Sequence, residues 1–149
     1  MASTTTSIDP TFRTYSSSQA KIYATHRLSY PSALYDTVLK YHFDMGGQFN
    51  LLLDVGCGPG NATRDVALSF ERAIGVDPGA AMIEAARELG GKTKAGKGIR
   101  YEVCPAEEIS GVEGLEKGSV DLLISAMAVS DSFLRGRERN GLITIGTLV

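Results

Sequence analysis

The chain has 149 residues, 43% of them hydrophobic, with a formal charge of −2 and a pI near 5.7. That is enough apolar material for one globular domain with a real core, and the lack of a basic surplus speaks against nucleic acid or an anionic membrane surface as partner. Two cysteines without a CxxC pair indicate neither a disulfide framework nor a zinc site, so no metal is expected. Nowhere is an apolar stretch long enough to span a bilayer. "MASTTTSIDPTFRTYSSSQ" lacks the basic start and apolar block of a secretory signal, which makes a reducing, cytoplasmic setting the simple expectation. Nothing in the pattern specifies an oligomeric state.

Residues 1 to 19 are rich in Ser and Thr and read as a flexible N-terminal tail, ahead of one domain over 20–149. In "YPSALYDTVLKYH", Leu34, Val38, Leu39 and His42 share one helical face, with Ser32 near its start. "FNLLLDVG" is a short apolar run, as expected of a strand buried on both faces. "NATRDVALSF" predicts a helix, "RAIGVD" a second strand, and "GAAMIEAAREL" a second helix of this alternation, ended by Gly90 and Gly91. "IRYEVC" alternates, placing Ile99, Tyr101 and Val103 on one side. Glu107 to Gly111 reads as a helical turn or loop, and "SVDLLISA" as a fourth strand. This alternation means a parallel sheet with helices on its faces, an α/β Rossmann-like fold.

"LLLDVGCGPG", residues 51–60, puts a carboxylate on a greasy strand and removes every second side chain just beyond it. In a parallel sheet, ligands bind outside the carboxyl ends of the strands. Gly56 to Gly60, Asp77 and Ala106–Glu107 all fall at such ends, so they should share one rim. A dinucleotide fingerprint needs G-x-G-x-x-G, but Gly58 is followed by Pro59, Gly60 and Asn61, and the third position fails. Asp54 would also be a like charge near a pyrophosphate. It predicts instead a cationic group in the ligand, an amine or a sulfonium. Asp77 ends the second strand about twenty residues after the first glycine, where an acid can accept both hydroxyls of a ribose. A ribose, a cation and no demand for phosphate describe S-adenosyl-L-methionine.

"LLLDVGCGPG", "AIGVDPGAAMIEAAREL", "YEVCPAEEI" and "GSVDLLISAMAV" resemble the successive cofactor-binding motifs of class I S-adenosylmethionine-dependent methyltransferases. With "YPSALYDTVLKYH" ahead of them, the chain is similar to the small-molecule branch that includes the trans-aconitate methyltransferase-like proteins of fungi. The resemblance implies that Gly56, Gly58 and Gly60 let the backbone approach the methionyl part and ribose, and that Asp54 neutralises the methionine amino group. It further implies that Asp77 holds the ribose hydroxyls and Met82 flanks the adenine. Ala106 would offer its N–H to the ring, Glu107 would bond the exocyclic amine, and Ala126 would lie near the transferred methyl. The implied partner is a small-molecule methyl acceptor; no catalytic residue is assigned.

The same residues have plainer uses. The glycines can mark a tight turn, Asp77 before Pro78 and Gly79 can be a turn acid, Met82 can be core, and Glu107 can sit at a helix N-terminus. "GKTKAGKG" imitates a phosphate loop, but Gly98 stands where Ser or Thr must bind magnesium, so it reads as a solvated loop. His26, His42, Cys57 and Cys104 are expected to be structural.

The resemblance also implies a seven-stranded sheet ordered 3-2-1-4-5-7-6, of which the chain supplies the 3-2-1-4 half. After "AMAV" the branch has a His-Trp pair, where Ser130 and Asp131 stand here. The economical expectation is a product truncated after the fourth strand and impaired in transfer; the alternative is a non-catalytic cofactor-binding remnant or a partner of a full-length enzyme. "LITIGTLV" has strand-like composition, and about fifteen residues precede it, enough for a crossover, so it is available as one extra C-terminal strand.

Overall fold

The computed structural model describes residues 16–26 and 30–125. Its elements run α1 (Ser17–His26), α2 (Ser32–Asp44), β1 (Leu51–Val55), α3 (Asn61–Ala67), β2 (Arg72–Asp77), α4 (Ala80–Leu89), β3 (Arg100–Val103), a 3-10 helix (Ala106–Gly111) and β4 (Leu122–Ile124). The strands pair in parallel in the order β3-β2-β1-β4, as the strand–helix alternation predicts. Ala126, the expected extra strand and the Ser130–Asp131 pair lie outside the described residues. Among the described residues no helix is long and apolar enough to cross a membrane.

One face of the sheet carries Leu52, Ala73, Leu122 and Ile124, which pack with Val38 of α2, Val66 and Ala67 of α3, and Phe70. The opposite face carries Leu51, Leu53, Val55, Ile74, Val76 and Leu123, joined by Ala106, Ile109, Val112 and Leu115. This two-sided burial explains why β1 is apolar at consecutive rather than alternate positions. His42 closes the α2 end: its Nε2 lies 2.6 Å from the Gln48 carbonyl and its ring packs edge-on to Phe49. The expected structural role of that histidine holds.

Two expectations about boundaries are corrected. Residues 17–19, expected in the tail, open α1, which starts at Ser17. Ala20 is fully buried against Met82 and Ala85 of α4, and Ser17 and Lys21 bond Glu84 and Glu88 at 2.8 and 2.9 Å. Val103, two residues beyond Tyr101 on the same side of β3, is 48% exposed. It ends the edge strand, beyond the level at which Ile83 and Ala86 of α4 cover Tyr101.

The fourth strand is shorter than "SVDLLISA", since polar side chains take over from the ladder at both of its ends. The Asp121 carboxylate accepts the Asn50 and Leu51 N–H groups at 2.8 and 3.0 Å, and Ser125 Oγ donates to the Val55 carbonyl at 2.9 Å.

Across the sheet Tyr101, Gly75, Asp54 and Ile124 stand in one row. Gly75 is there because the Tyr101 ring leans over it. A β-carbon at residue 75 would lie 2.9 Å from Tyr101 Cδ1 and 3.1 Å from Cys57 Sγ. Gly75→Ala should therefore lower unfolding stability by about 1–3 kcal/mol, the cost of overpacking a core. Urea unfolding measures it, and an unchanged midpoint would mean that the ring moves aside freely.

Candidate functional site

The chain turns from β1 into α3 through Gly56, Gly58 and Gly60, whose φ angles are 70°, 55° and 83°. All lie in the left-handed region, which residues with a β-carbon rarely adopt. The turn is bolted to the neighbouring strand: the Gly56 and Cys57 N–H groups donate to the Val76 carbonyl at 2.8 and 3.0 Å, and the Gly58 N–H donates to Asp77 Oδ2 at 3.0 Å. Asp77 Oδ1 accepts the Gly79 N–H at 2.8 Å, so this residue is also the turn acid of its own Pro-Gly step. The Asp77 carbonyl accepts the Cys104 N–H at 2.9 Å. A continuous line thus runs from the glycine turn through Asp77 to the end of β3 and the 3-10 helix beyond it. The rim expected from the strand ends exists.

Asp54 is 1% exposed on β1, and its Oδ2 accepts the Thr63 hydroxyl of α3 at 2.6 Å. A buried carboxylate is costly in an apolar interior, and a hydrogen bond to a charged group returns about 1.5–3 kcal/mol. Thr63 escaped the sequence argument. Its signal was the spacing of Thr63, Val66 and Ala67, the inward face of α3, with a hydroxyl among apolar neighbours. Thr63 is fully buried, while Asn61 and Ala62 before it are half-buried.

The remaining candidates are placed less uniformly. Met82 is 2% exposed and packs on Ala20 and Ala85 between α4 and α1, so its plainer use as core is present. Ala106 begins the 3-10 helix and packs against the sheet, while Glu107 is exposed in its first turn. Ala126 is outside the described residues.

Cys57 is buried within the turn. Burial pushes its thiol well up, and the charges of Asp54 and Asp77 push it further. Burial also raises Cys104, helped by Glu108 and Glu102. "GKTKAGKG" forms a small hairpin closed by Lys92 and Gly98, with residues 94–98 exposed, far from the build of a phosphate loop.

The donor set fits S-adenosylmethionine. Two carboxylates at the ends of adjacent central strands suit an ammonium and a diol, and they would repel a pyrophosphate. A turn of three left-handed glycines permits close approach of a ligand to backbone.

The family model for a methyltransferase domain matches residues 52–139. A protein of Saccharomyces cerevisiae named "Probable S-adenosylmethionine-dependent methyltransferase" is 37% identical over 103 residues, covering 69% of this chain and 33% of its own length. A methyltransferase of Aspergillus candidus is 29% identical over 85% of this chain and 39% of its own. The chain thus spans a third or little more of these relatives. Among solved structures, Haemonchus contortus phosphoethanolamine N-methyltransferase 2, with phosphomonomethylethanolamine and S-adenosylhomocysteine, superposes with a TM-score of 0.53 at 25% identity. That likeness covers 75% of this chain and 26% of the other. A methyltransferase from Clostridium acetobutylicum shares the fold, with a TM-score of 0.51 over 72% of this chain and 42% of the other, at 23% identity. With the motifs, the sheet order and these matches in agreement, the chain belongs to the class I S-adenosylmethionine-dependent methyltransferase family.

Proposed function

We propose that this chain is the cofactor-binding half of a cytoplasmic methyltransferase that uses S-adenosylmethionine to methylate a small molecule, with a carboxylate as acceptor. What supports the reading most directly is the bond from the Gly58 N–H to Asp77, which sets the acid for a ribose against the glycine turn. Asp54 stands on the neighbouring strand at the root of that turn.

The cofactor supplies a methyl group already activated on a sulfonium. The chain's work is therefore to bind and orient, which can be worth about 7–11 kcal/mol of barrier. Asp54 attracts the ammonium of the methionyl part. Asp77, its carboxylate aimed by the Gly58 and Gly79 N–H groups, accepts the ribose hydroxyls. Ala106 and Glu107 meet the adenine edge. A carboxylate acceptor is ionised at neutral pH and needs no general base, in keeping with a site that offers no obvious one. The branch resembling trans-aconitate methyltransferases supports this choice of acceptor.

A second reading is a cofactor-binding chain without transfer activity. The acceptor must sit about 3–3.5 Å from the methyl for transfer, and the resemblance implies a sheet continuing beyond the fourth strand to build that pocket. The 149-residue chain should accordingly bind S-adenosylhomocysteine and not NAD in calorimetry, yet show little or no transfer of labelled methyl to small carboxylic acids. NAD binding would overturn the cofactor assignment. Turnover comparable to a full-length relative would overturn the impaired activity and show that these residues hold the acceptor.

A further inference from the structure

The two halves of the glycine turn are secured differently. Gly56, Cys57 and Gly58 are held by three backbone N–H bonds to Val76 and Asp77. Pro59 has no N–H to give, and the Gly60 N–H bonds within the turn, to the Cys57 carbonyl at 3.0 Å. Arg64 takes up the slack. It lies one helical turn into α3, where its own N–H donates to the Gly60 carbonyl at 2.9 Å. Its side chain doubles back toward the start of the helix. There one guanidinium nitrogen donates to the Pro59 carbonyl at 2.8 Å and the other to Asn61 Oδ1 at 2.5 Å.

A cation brought to a helix N-terminus works against the helix dipole, so this placement needs a compensating gain. The charge-assisted bonds to the turn provide one. The fork also fixes the Asn61 amide, whose nitrogen faces the Ala24 carbonyl of α1 at 3.4 Å.

Tyr101 supports the same spot from β3. Its hydroxyl donates to the Gly90 carbonyl at 3.2 Å, and a β-carbon on Gly60 would fall 2.6 Å from the Tyr101 hydroxyl oxygen and 3.0 Å from Arg64 Nη1. The turn therefore rests on a tyrosine and is gripped by an arginine, both approaching from the protein side.

We propose that Arg64 is a positioning residue for the cofactor: its guanidinium fixes the Pro59–Gly60 half of the turn so that the turn's ligand-facing backbone is preformed before binding. The proposal rests on the assignment of this turn to S-adenosylmethionine. The guanidinium's two simultaneous bonds, to a carbonyl and to an amide oxygen, are something a lysine cannot reproduce.

The test uses the 149-residue chain and three variants, Arg64→Ala, Arg64→Lys and Asp77→Ala, with S-adenosylhomocysteine as probe. Hydrogen exchange is read on the unliganded proteins and affinity by calorimetry. Arg64→Ala should exchange the amides of residues 60–64 faster than wild type without ligand and lose affinity by about tenfold or more. Arg64→Lys should fall between the two on both measures.

Exchange at 60–64 unchanged in Arg64→Ala, or an affinity equal to wild type, overturns the proposal. If Arg64→Ala does not fold, Arg64→Lys decides alone, since wild-type exchange and affinity in it would show that the fork is not needed. Failure of the cofactor assignment looks different: wild type then binds no S-adenosylhomocysteine, or Asp77→Ala binds it equally well, whatever happens at Arg64.

Discussion

Asp77→Ala should weaken S-adenosylmethionine binding by about 1.5–3 kcal/mol, the range for hydrogen bonds to a charged group. The expectation comes from the position of Asp77 at the end of β2 and from the way its carboxylate is held. Oδ2 and Oδ1 each receive a backbone N–H, from Gly58 and Gly79, which fixes the carboxylate at the carboxyl end of β2. The same two bonds mean that the alanine variant also loosens the glycine turn and the entry to α4. Stability should fall along with affinity, and the two losses must be separated. Asp77→Asn keeps the shape and one acceptor oxygen, so it should recover more of the stability than of the binding. Calorimetry and urea unfolding on both variants give the answer. Undiminished affinity in a folded Asp77→Ala chain would remove Asp77 from the ligand site and leave it a turn acid.

Gly58→Val should abolish cofactor binding while leaving most of the secondary structure. Gly58 has a φ of 55°, a conformation that costs an ordinary residue roughly 1–2 kcal/mol and a β-branched one more. Relief of that strain would swing the residue 58 N–H away from Asp77, and the branched side chain would occupy space at the strand ends meant for the ligand. Strands β1 and β2 pair upstream of the turn, from Leu51 with Arg72 to Val55 with Val76, and do not depend on it. Circular dichroism should therefore stay near wild type while the calorimetric signal vanishes. Global unfolding would instead mean that residue 58 is required by the turn itself and carries no information about a ligand.

The central strands and the turn could be read from the sequence because each has a strong local cause. "RAIGVD" is an apolar run between charged residues and a proline, and β2 occupies those six residues. Three alternating glycines after an apolar strand admit few conformations. The first helix lacked such a cause: "SSQAKIYATH" has no apolar stripe, and it is held by one buried alanine and polar contacts with α4 that only the fold creates. Met82 shows a different limit. α4 buries two faces, Ile83 and Ala86 toward the sheet and Met82 and Ala85 toward α1, and a helical period cannot say which partner each face meets. Thr63 and Arg64 were missed for a third reason. Each acts on residues of the turn or of β1, and a side chain's target across a turn has no periodic trace.

Strand β4 is only three residues long, yet it is fastened to β1 by Asp121 at one end and Ser125 at the other. These fastenings join residues 70 and 71 positions apart, whereas β1 meets β2 over the much shorter span from Leu53 to Ile74. Each doubling of a closed loop costs about 0.6 kcal/mol in chain entropy, which places the docking of β4 behind the pairing of the first three strands in time. During synthesis β1 leaves the ribosome well before its second neighbour does. Until Asp121 reaches the Asn50 and Leu51 amides, one flank of β1 is open to any strand that can pair with it, so the nascent chain passes through an interval in which its central strand is exposed to mispairing.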